Sequence, residues 1–307
     1  MSTRYKKIVI LGSGAWGSAL VKLFAYNSSQ VYSWSRKNNE TLAETLANAD
    51  VIVSAVSVAG LYPTIERLQH LDIPIDTLLI SATKGLDPLT TKTPSLIWQN
   101  HFPRHSIAVL SGPNLSKEIQ QGLPAASVVS SQNLEAAKAI QKVLSSELFR
   151  VYLNRDPLGT ELGGTLKNVM AIAAGVCDGL ELGTNAKAAL LTRALPEMIR
   201  VGTTLGAKTE TFFGLSGLGD LLATCNSILS RNYQVGYQLA KGHSLQTILA
   251  NLEGTAEGIN TTRVLMQIAD KQKLYLPITN EVHRLLLDDI TPQESVKLIM
   301  ERDLKSE

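Results

Sequence analysis

The feature that most constrains this chain is a glycine-rich loop near its start, Gly12-Ser13-Gly14-Ala15-Trp16-Gly17. It follows an apolar, β-branched run (residues 8–11) and leads into a helix-compatible stretch (residues 18–25). In such a strand–turn–helix, the first glycine makes the turn, the second admits a pyrophosphate, and the third lets helix and strand pack. Free N–H groups at the helix start then bind the anion. The loop predicts a dinucleotide site, with a purely structural glycine turn as the alternative.

Composition places the chain among ordinary globular proteins. Its 307 residues suffice for one large domain or two ordinary ones. Apolar residues make up 44% and charged residues 18%, as in proteins with a sizeable core. The net charge is only +2, so nothing in the balance indicates a nucleic acid or a membrane surface as partner. A positive site for an anionic ligand must therefore be local.

The cysteines and the N-terminal run bear on the compartment, and the histidines bear on metal binding. Cys177 and Cys225 lie in apolar or small-residue segments, which predicts buried, reduced thiols and a reducing compartment. Pro103 separates His101 from His105, and no metal site is expected. The N-terminal apolar run ends in the glycine loop rather than at a cleavage site, and no apolar stretch approaches membrane-spanning length. We expect a soluble, cytoplasmic protein.

The first half of the chain alternates short β-rich runs with polar or helical stretches. The candidate strands are residues 7–11, 30–34, 51–56, 77–82, 106–110, 126–130 and 149–153. A helical pattern over residues 133–144 has Asn133 as its cap. This alternation predicts a mostly parallel sheet with helices on both faces.

Strand signals nearly vanish after Asn154-Arg155-Asp156-Pro157. The helical patterns that follow are residues 159–182, 186–205, 231–241, 261–273, 278–287 and 292–303, with glycine-bearing joints at 214–219 and 253–258. The predicted fold class is therefore α/β. We expect an N-terminal Rossmann-like domain over residues 1–155 and an all-helical substrate and catalytic domain over residues 156–307.

The end of the second strand bears on which nicotinamide cofactor binds. An acidic residue there holds the ribose hydroxyls of NAD, whereas an arginine suits the 2′-phosphate of NADP. Here the strand ends in Trp34-Ser35-Arg36-Lys37, and no carboxylate appears before Glu40. This pattern favours NADP(H), with NAD(H) possible. The alternative is that Arg36 and Lys37 are simply a solvated strand end.

Two strand ends carry polar residues suited to a ligand crevice. Lys84, in Ala82-Thr83-Lys84-Gly85-Leu86, follows the fourth candidate strand, where side chains of open α/β sheets point into the crevice. The fifth is followed by Ser111-Gly112-Pro113-Asn114-Leu115-Ser116, a glycine turn that presents N–H groups and hydroxyls. The plainer alternatives are a solvent-facing loop lysine and an ordinary strand-to-helix joint.

Paired glycines in the segment Glu161-Leu162-Gly163-Gly164-Thr165-Leu166-Lys167-Asn168-Val169 stand inside a helical pattern. Each costs roughly 1 kcal/mol against alanine, which indicates that a backbone or ligand comes close. Lys167 lies one turn beyond them on the same face and enters an apolar, buried run. It is either a functional amine or an amphipathic stem that reaches solvent.

A fourth polar group lies further along the helical half. Gly217-Leu218-Gly219-Asp220-Leu221 is followed by Ser230-Arg231-Asn232. Arg231 and Asn232 offer several donors to a phosphate or carboxylate. Alternatively, Ser230 is a helix cap with polar residues in the first turn behind it.

Taken together, these motifs resemble the NAD(P)-dependent glycerol-3-phosphate dehydrogenase family. The glycine loop, A-T-K-G-L, S-G-P-N, G-G-T-L-K-N-V, G-L-G-D-L and S-R-N occur in the same order over nearly the whole chain. The resemblance implies reversible reduction of dihydroxyacetone phosphate to sn-glycerol 3-phosphate, which supplies glycerophospholipid synthesis. It also implies a homodimer.

The resemblance assigns roles by position. The implied cofactor contacts are Gly12, Ser13, Gly14, Ala15, Trp16, Gly17, Arg36, Lys84, Ser116, Arg231, Thr255 and Glu257. The implied substrate contacts are Lys84, Gly112, Asn114, Asp220, Ser230, Arg231 and Asn232. Lys167 matches the proton donor and acceptor, with Lys84 and Asp220 beside it. A free lysine, with a pKa of about 10.4, holds its proton too tightly, but burial and a second cation would lower that pKa.

Two departures from the family pattern stand out. Asn114 replaces the serine or threonine of many relatives, although an amide can still donate. The connection from Trp34 to Val51 is short, with one helical pattern over residues 38–49 where relatives carry a longer excursion.

Two other functions remain as alternatives. One is a β-hydroxyacid dehydrogenase, whose substrates carry a carboxylate, and against which the A-T-K-G-L and S-R-N segments argue. The other is a non-catalytic NADP(H)-sensing module, which needs neither Lys167 nor Arg231.

Overall fold

The first half of the protein is built on one seven-stranded sheet. The computed structural model describes residues 5–28, 30–36 and 41–301. The strands are β1 (Lys7–Leu11), β2 (Gln30–Trp34), β3 (Val51–Ser54), β4 (Leu78–Ser81), β5 (Ile107–Ser111), β6 (Ala125–Ser131) and β7 (Phe149–Asn154). Their order is β2-β1-β3-β4-β5-β6-β7, and only the β5–β6 pair is antiparallel. The predicted mostly parallel sheet is confirmed.

Helices cover both faces of this sheet. They are α1 (Ala15–Ala25), α2 (Leu42–Leu46), α3 (Leu61–Gln69), α4 (Pro94–His101), α5 (Ser116–Gln120) and α6 (Leu134–Leu144). Successive strand residues point to opposite faces, so Ile8 and Ile10 pack with α1 and α6, while Val9 and Leu11 pack with α3 and α4. Asn133 caps α6 as predicted, accepting a hydrogen bond from the Ala136 N–H.

The second half is helical, and its described residues contain no strand after Asn154. Its helices are α7 (Pro157–Gly179), α8 (Gly183–Thr204), α9 (Asp220–Cys225), α10 (Arg231–Ala240), α11 (Leu245–Asn251), α12 (Glu257–Gln272), α13 (Pro277–Leu286) and α14 (Pro292–Met300). The central helix α7 is buried along most of its length. It packs on α10 so closely that a Cβ at Gly236 would lie 1.8 Å from the Ile172 carbonyl oxygen.

Several local expectations need correction. The sequence patterns did not predict α9 or α11. The predicted joint at 214–219 is helical, because Leu215–Gly219 forms a π-helical turn that runs directly into α9.

In the short connection before β3, Thr41 and Glu44 form a capping box at the start of α2, while residues 37–40 lie outside the described part of the chain. No helix among the described residues is long and apolar enough to cross a membrane.

Candidate active site

A cavity of about 870 Å³ lies where the C-terminal ends of β1–β4 meet the helical half. Most of the predicted site residues line it: Gly12, Gly14, Ala15, Trp16, Arg36, Lys84, Asn114, Ser116, Lys167, Ser230, Arg231, Asn232, Thr255 and Glu257. Four predicted site residues do not line it: Ser13, Gly17, Gly112 and Asp220. The crevice at the carboxyl ends of the strands is where open α/β sheets bind ligands.

The glycine loop is shaped by two close backbone approaches. The Gly12 N–H donates to the Trp34 carbonyl at 2.8 Å, and Gly12 has φ +116°. A Cβ at Gly17 would lie 1.9 Å from the Gly12 carbonyl oxygen, so only glycine fits there. Gly17 therefore packs the helix on the loop, while Ser13 is exposed outside the cavity.

The start of α1 is open toward the cavity. In the part of the chain that the structure describes, nothing lies within 4 Å of a Cβ built on Gly14, and no side chain caps the helix. The unpaired N–H groups and the open space fit the pyrophosphate of a dinucleotide. Trp16 ties this loop to the fourth strand, because its indole N–H donates to the Ala82 carbonyl at 3.2 Å.

Two lysines share one buried carboxylate at the centre of the site. Asp220, the first residue of α9, is only 1% exposed. Its Oδ2 atom accepts a hydrogen bond from Lys84 Nζ at 2.7 Å, and its Oδ1 atom accepts one from Lys167 Nζ. Lys167 also donates to Thr224 Oγ1 at 2.6 Å, and Lys84 to the Gly112 carbonyl at 3.3 Å. The structure thus brings together the residues that the motifs placed in catalysis.

The surroundings of Lys167 change its acidity. Burial lowers the pKa of Lys167 to about 8, and the Lys84 ammonium contributes to that lowering, whereas the Asp220 carboxylate opposes both effects. An amine with a pKa near the working pH can both hold and release a proton, which general acid–base chemistry requires.

The paired glycines of α7 allow the elements of this site to pack closely together. A Cβ at Gly163 would lie 2.5 Å from the Ser216 carbonyl oxygen, in the turn before α9. A Cβ at Gly164 would lie 2.2 Å from Ser111 Oγ and 3.3 Å from Lys84 Cε. At Gly163 helix α7 contacts the turn before α9, and at Gly164 it contacts β5 and Lys84. The close approach inferred from the sequence is therefore found at both glycines.

Glu161, less than one turn before these glycines, has a structural role that the sequence did not reveal. Its carboxylate is 2% exposed and accepts hydrogen bonds from Ser81 Oγ at 2.7 Å and from the Ser95 N–H at 3.0 Å. Burial raises the pKa of Glu161. These contacts join α7 to the start of α4 and to β4, just before the loop that carries Lys84.

Arg231 lies at the helical side of the cavity, at the start of α10. No carboxylate among the described residues pairs with its guanidinium. Ser230 caps α10, accepting from the Tyr233 N–H at 3.2 Å, so the cap interpretation holds although Ser230 also lines the cavity. Asn232 Oδ1 accepts from the Gly258 N–H at 2.9 Å, and its amide nitrogen has no hydrogen-bond partner among the described residues.

The remaining predicted residues sit at the rim and walls of the cavity. The Asn114 amide is held against β6, where its nitrogen donates to the Ala126 carbonyl and its oxygen accepts from Ser127. Glu257 accepts from the Val58 N–H at 3.3 Å, and burial raises the pKa of Glu257. Arg36 and Thr255 are exposed at the rim, whereas Lys37 lies outside the described residues.

Together, the sheet, the open glycine loop and the buried lysine define a Rossmann-type, nucleotide-dependent dehydrogenase. Family models described as the N-terminus and C-terminus of NAD-dependent glycerol-3-phosphate dehydrogenase match residues 7–43 with 38–137, and residues 156–297. The chain belongs to the NAD-dependent glycerol-3-phosphate dehydrogenase family, and the resemblance inferred from the motifs is confirmed.

Individual relatives agree with this assignment over the full length. A protein named glycerol-3-phosphate dehydrogenase [NAD(P)+] from Acaryochloris marina is 60% identical over 300 residues, covering 98% of this chain and 97% of that protein. One of the same name from Synechocystis is 60% identical over 301 residues, covering 98% and 95%. A crystal structure of glycerol-3-phosphate dehydrogenase from Coxiella burnetii superposes with a TM-score of 0.92 at 33% identity, covering 97% and 99%.

Proposed function

We propose that this chain reversibly reduces dihydroxyacetone phosphate to sn-glycerol 3-phosphate and supplies glycerophospholipid synthesis. The observation that carries the proposal is the buried Lys167 ammonium, held by Asp220 and Thr224 on the wall of the crevice. A reduced nicotinamide, when bound, supplies the hydride. The protein's own task is then to bind the phosphorylated ketone and to protonate its oxygen.

Lys167 Nζ is the proton donor to the ketone oxygen, and in the reverse direction it accepts the proton from the alcohol. Asp220 keeps the ammonium oriented and partly offsets its burial. Lys84 adds a second positive charge, so the two ammonium groups and one carboxylate leave a net charge of +1 to stabilise the developing oxyanion. After the proton leaves Lys167, the Lys84–Asp220 pair is electrically balanced.

For the cofactor, the structure supports the pyrophosphate at the loop Gly12–Gly17 and at the open start of α1. Arg36 lines the same cavity at the end of β2 and is the residue for a 2′-phosphate, which favours NADP(H) while NAD(H) stays possible. Ser116, Lys84, Arg231, Thr255 and Glu257 complete the proposed cofactor contacts.

For the substrate, we assign the phosphate to Arg231 with Ser230 and Asn232. A guanidinium without a carboxylate partner among the described residues, on the wall of the crevice, is suited to a dianionic phosphate. Lys84 and Asn114, which line the crevice, would contact the remainder of the substrate, while Gly112 and Asp220 would act from behind by holding Lys84.

We further propose a division into a cofactor domain (residues 1–155) and a helical domain (residues 156–307). It is supported by β7 ending at Asn154 and α7 beginning at Pro157. We propose a homodimer that binds no nucleic acid and works in the cytoplasm. The two buried, unpaired cysteines fit such a reducing compartment.

The test is to follow NADPH and NADH absorbance with dihydroxyacetone phosphate and then with small hydroxyacids. We expect turnover with the phosphorylated ketone alone. Lys167→Ala should lower kcat by about 10²–10⁴-fold while NADPH binding, measured by fluorescence, stays nearly intact. Turnover by the variant equal to the original would remove Lys167 from the mechanism, and turnover of hydroxyacids alone would overturn the substrate assignment.

A further inference from the structure

A second arginine lies at the end of the cavity that Arg36 occupies. Arg67, in the last turn of α3, places its guanidinium carbon 5.7 Å from the centroid of the Trp34 ring. Trp34 is the last residue of β2, and its carbonyl accepts the N–H of Gly12. Arg67 is therefore anchored beside the same strand end that carries Arg36 and beside the glycine loop.

The face of α3 that carries Arg67 is turned toward the cavity. Gly60, Pro63, Thr64 and Arg67 all line it. Their spacing of three, four and seven residues is that of one face of a helix. The cavity-facing side of α3 thus runs from Gly60, just before the helix, to Arg67 in its last turn.

The part of the cavity lined by Arg36 and Arg67 has the chemistry of an anion-binding site. Arg36 and Arg67 are both exposed, and no carboxylate among the described residues pairs with either guanidinium. A guanidinium that lies over an indole ring in a cation–π contact uses none of its N–H donors for that contact, so they stay available to a phosphate. Two such groups from different elements can bind one dianion from two sides.

We propose that Arg67 is a second cation for the 2′-phosphate of NADP(H), acting with Arg36 and positioned by the Trp34 ring. This proposal rests on the cofactor site proposed above. It makes Arg67 a specificity-determining residue, because an NAD(H) ribose has only a hydroxyl at that position.

The test uses isothermal titration calorimetry of the full chain with adenosine 2′,5′-bisphosphate and adenosine 5′-monophosphate, which differ only in the 2′-phosphate. We expect Arg67→Ala to weaken binding of the bisphosphate about tenfold and that of the monophosphate less than about twofold. Arg67→Lys keeps the charge and should recover part of the loss. Alanine is the best helix former, so the substitution suits α3.

The chain offers a matched control in Arg150. Its exposed guanidinium lies 5.5 Å from the centroid of the Tyr152 ring, on β7 at the opposite edge of the same sheet. Arg150→Ala should change neither affinity. Arg36→Ala should resemble Arg67→Ala.

Three results would overturn the proposal. Equal weakening of both nucleotides by Arg67→Ala would make Arg67 a contact of the part that the two nucleotides share, and unchanged affinities would remove it from the site. If the unaltered protein bound neither nucleotide, the whole cofactor site would fail together with this proposal. The first two results would leave the cofactor site standing and dismiss only Arg67 as a contact of the 2′-phosphate.

Discussion

The guanidinium of Arg231 lies against the backbone of Gly254. A Cβ atom at Gly254 would be 2.7 Å from Arg231 Cζ and 3.0 Å from both terminal nitrogens. Gly254 also has φ +89°, in the left-handed region that favours glycine. The missing side chain at residue 254 therefore makes room for Arg231 on the wall of the crevice.

We expect Gly254→Ala to raise the KM for dihydroxyacetone phosphate about tenfold with kcat changed less than about twofold. The new methyl group must displace the Arg231 guanidinium, which removes part of a charge-assisted contact worth about 1.5–3 kcal/mol. Arg231→Ala removes the whole contact, so it should raise the KM by the full factor that this free energy corresponds to. Steady-state kinetics with saturating cofactor measure both effects.

Gly242→Ala is the matched control, because Gly242 has φ +87° and nothing lies within 4 Å of where its new methyl group would stand. It introduces the same backbone strain without touching Arg231, so the KM should not change. Gly254→Ala added to Arg231→Ala should have no further effect on the KM. A KM increase of equal size in the Gly242 variant would show that backbone strain, not displacement of Arg231, is responsible.

The acidity of Lys167 predicts opposite pH profiles for the two directions. In the proposed mechanism reduction needs the ammonium, so its kcat should fall as the pH rises through about 8. Oxidation needs the neutral amine, so its kcat should rise over the same interval. Asp220→Asn removes the carboxylate that raises the pKa of Lys167 and leaves the Lys84 ammonium, so both midpoints should move to lower pH.

Stopped-flow measurement of the hydride-transfer step across pH 6–10 (about four units, enough to bracket the midpoint) tests this prediction. Asp76→Asn, at an exposed position, serves as the control and should leave the profile unchanged. A midpoint that stayed fixed in Asp220→Asn would mean that another group titrates.

The sequence predicted the sheet well because its strands are short apolar runs bounded by glycine or polar residues. The bounds of β1 and β2 match the prediction, and those of β3 differ by two residues. The antiparallel pairing of β5 and β6 leaves no mark on such runs, because either direction buries the same side chains. The direction of that pair therefore could not be predicted.

The proposed catalytic centre was predictable only in part. Asp220 and Lys167 stand out in their motifs, but Thr224 does not, because α9 is only six residues long and emerges from a glycine-bearing π-helical turn. Once α9 is known, Thr224 lies one turn after Asp220 on the same face. The pairing of Arg231 with Gly254 joins separate elements, and a single sequence carries no pattern that would reveal it.

Gly164 provides a last test of how tightly the centre is packed. A Cβ there would lie 2.2 Å from Ser111 Oγ and 3.3 Å from Lys84 Cε, so Gly164→Ala should shift both groups and lower kcat by about 10–100-fold. Ser111 Oγ is buried and has no hydrogen-bond partner among the described residues, so Ser111→Ala alone should have little effect on kcat. Combined with Gly164→Ala, it removes the closest clash and should restore part of kcat. If the double variant were no more active than Gly164→Ala, the loss would arise from Lys84 or from the helix itself rather than from the crowded hydroxyl.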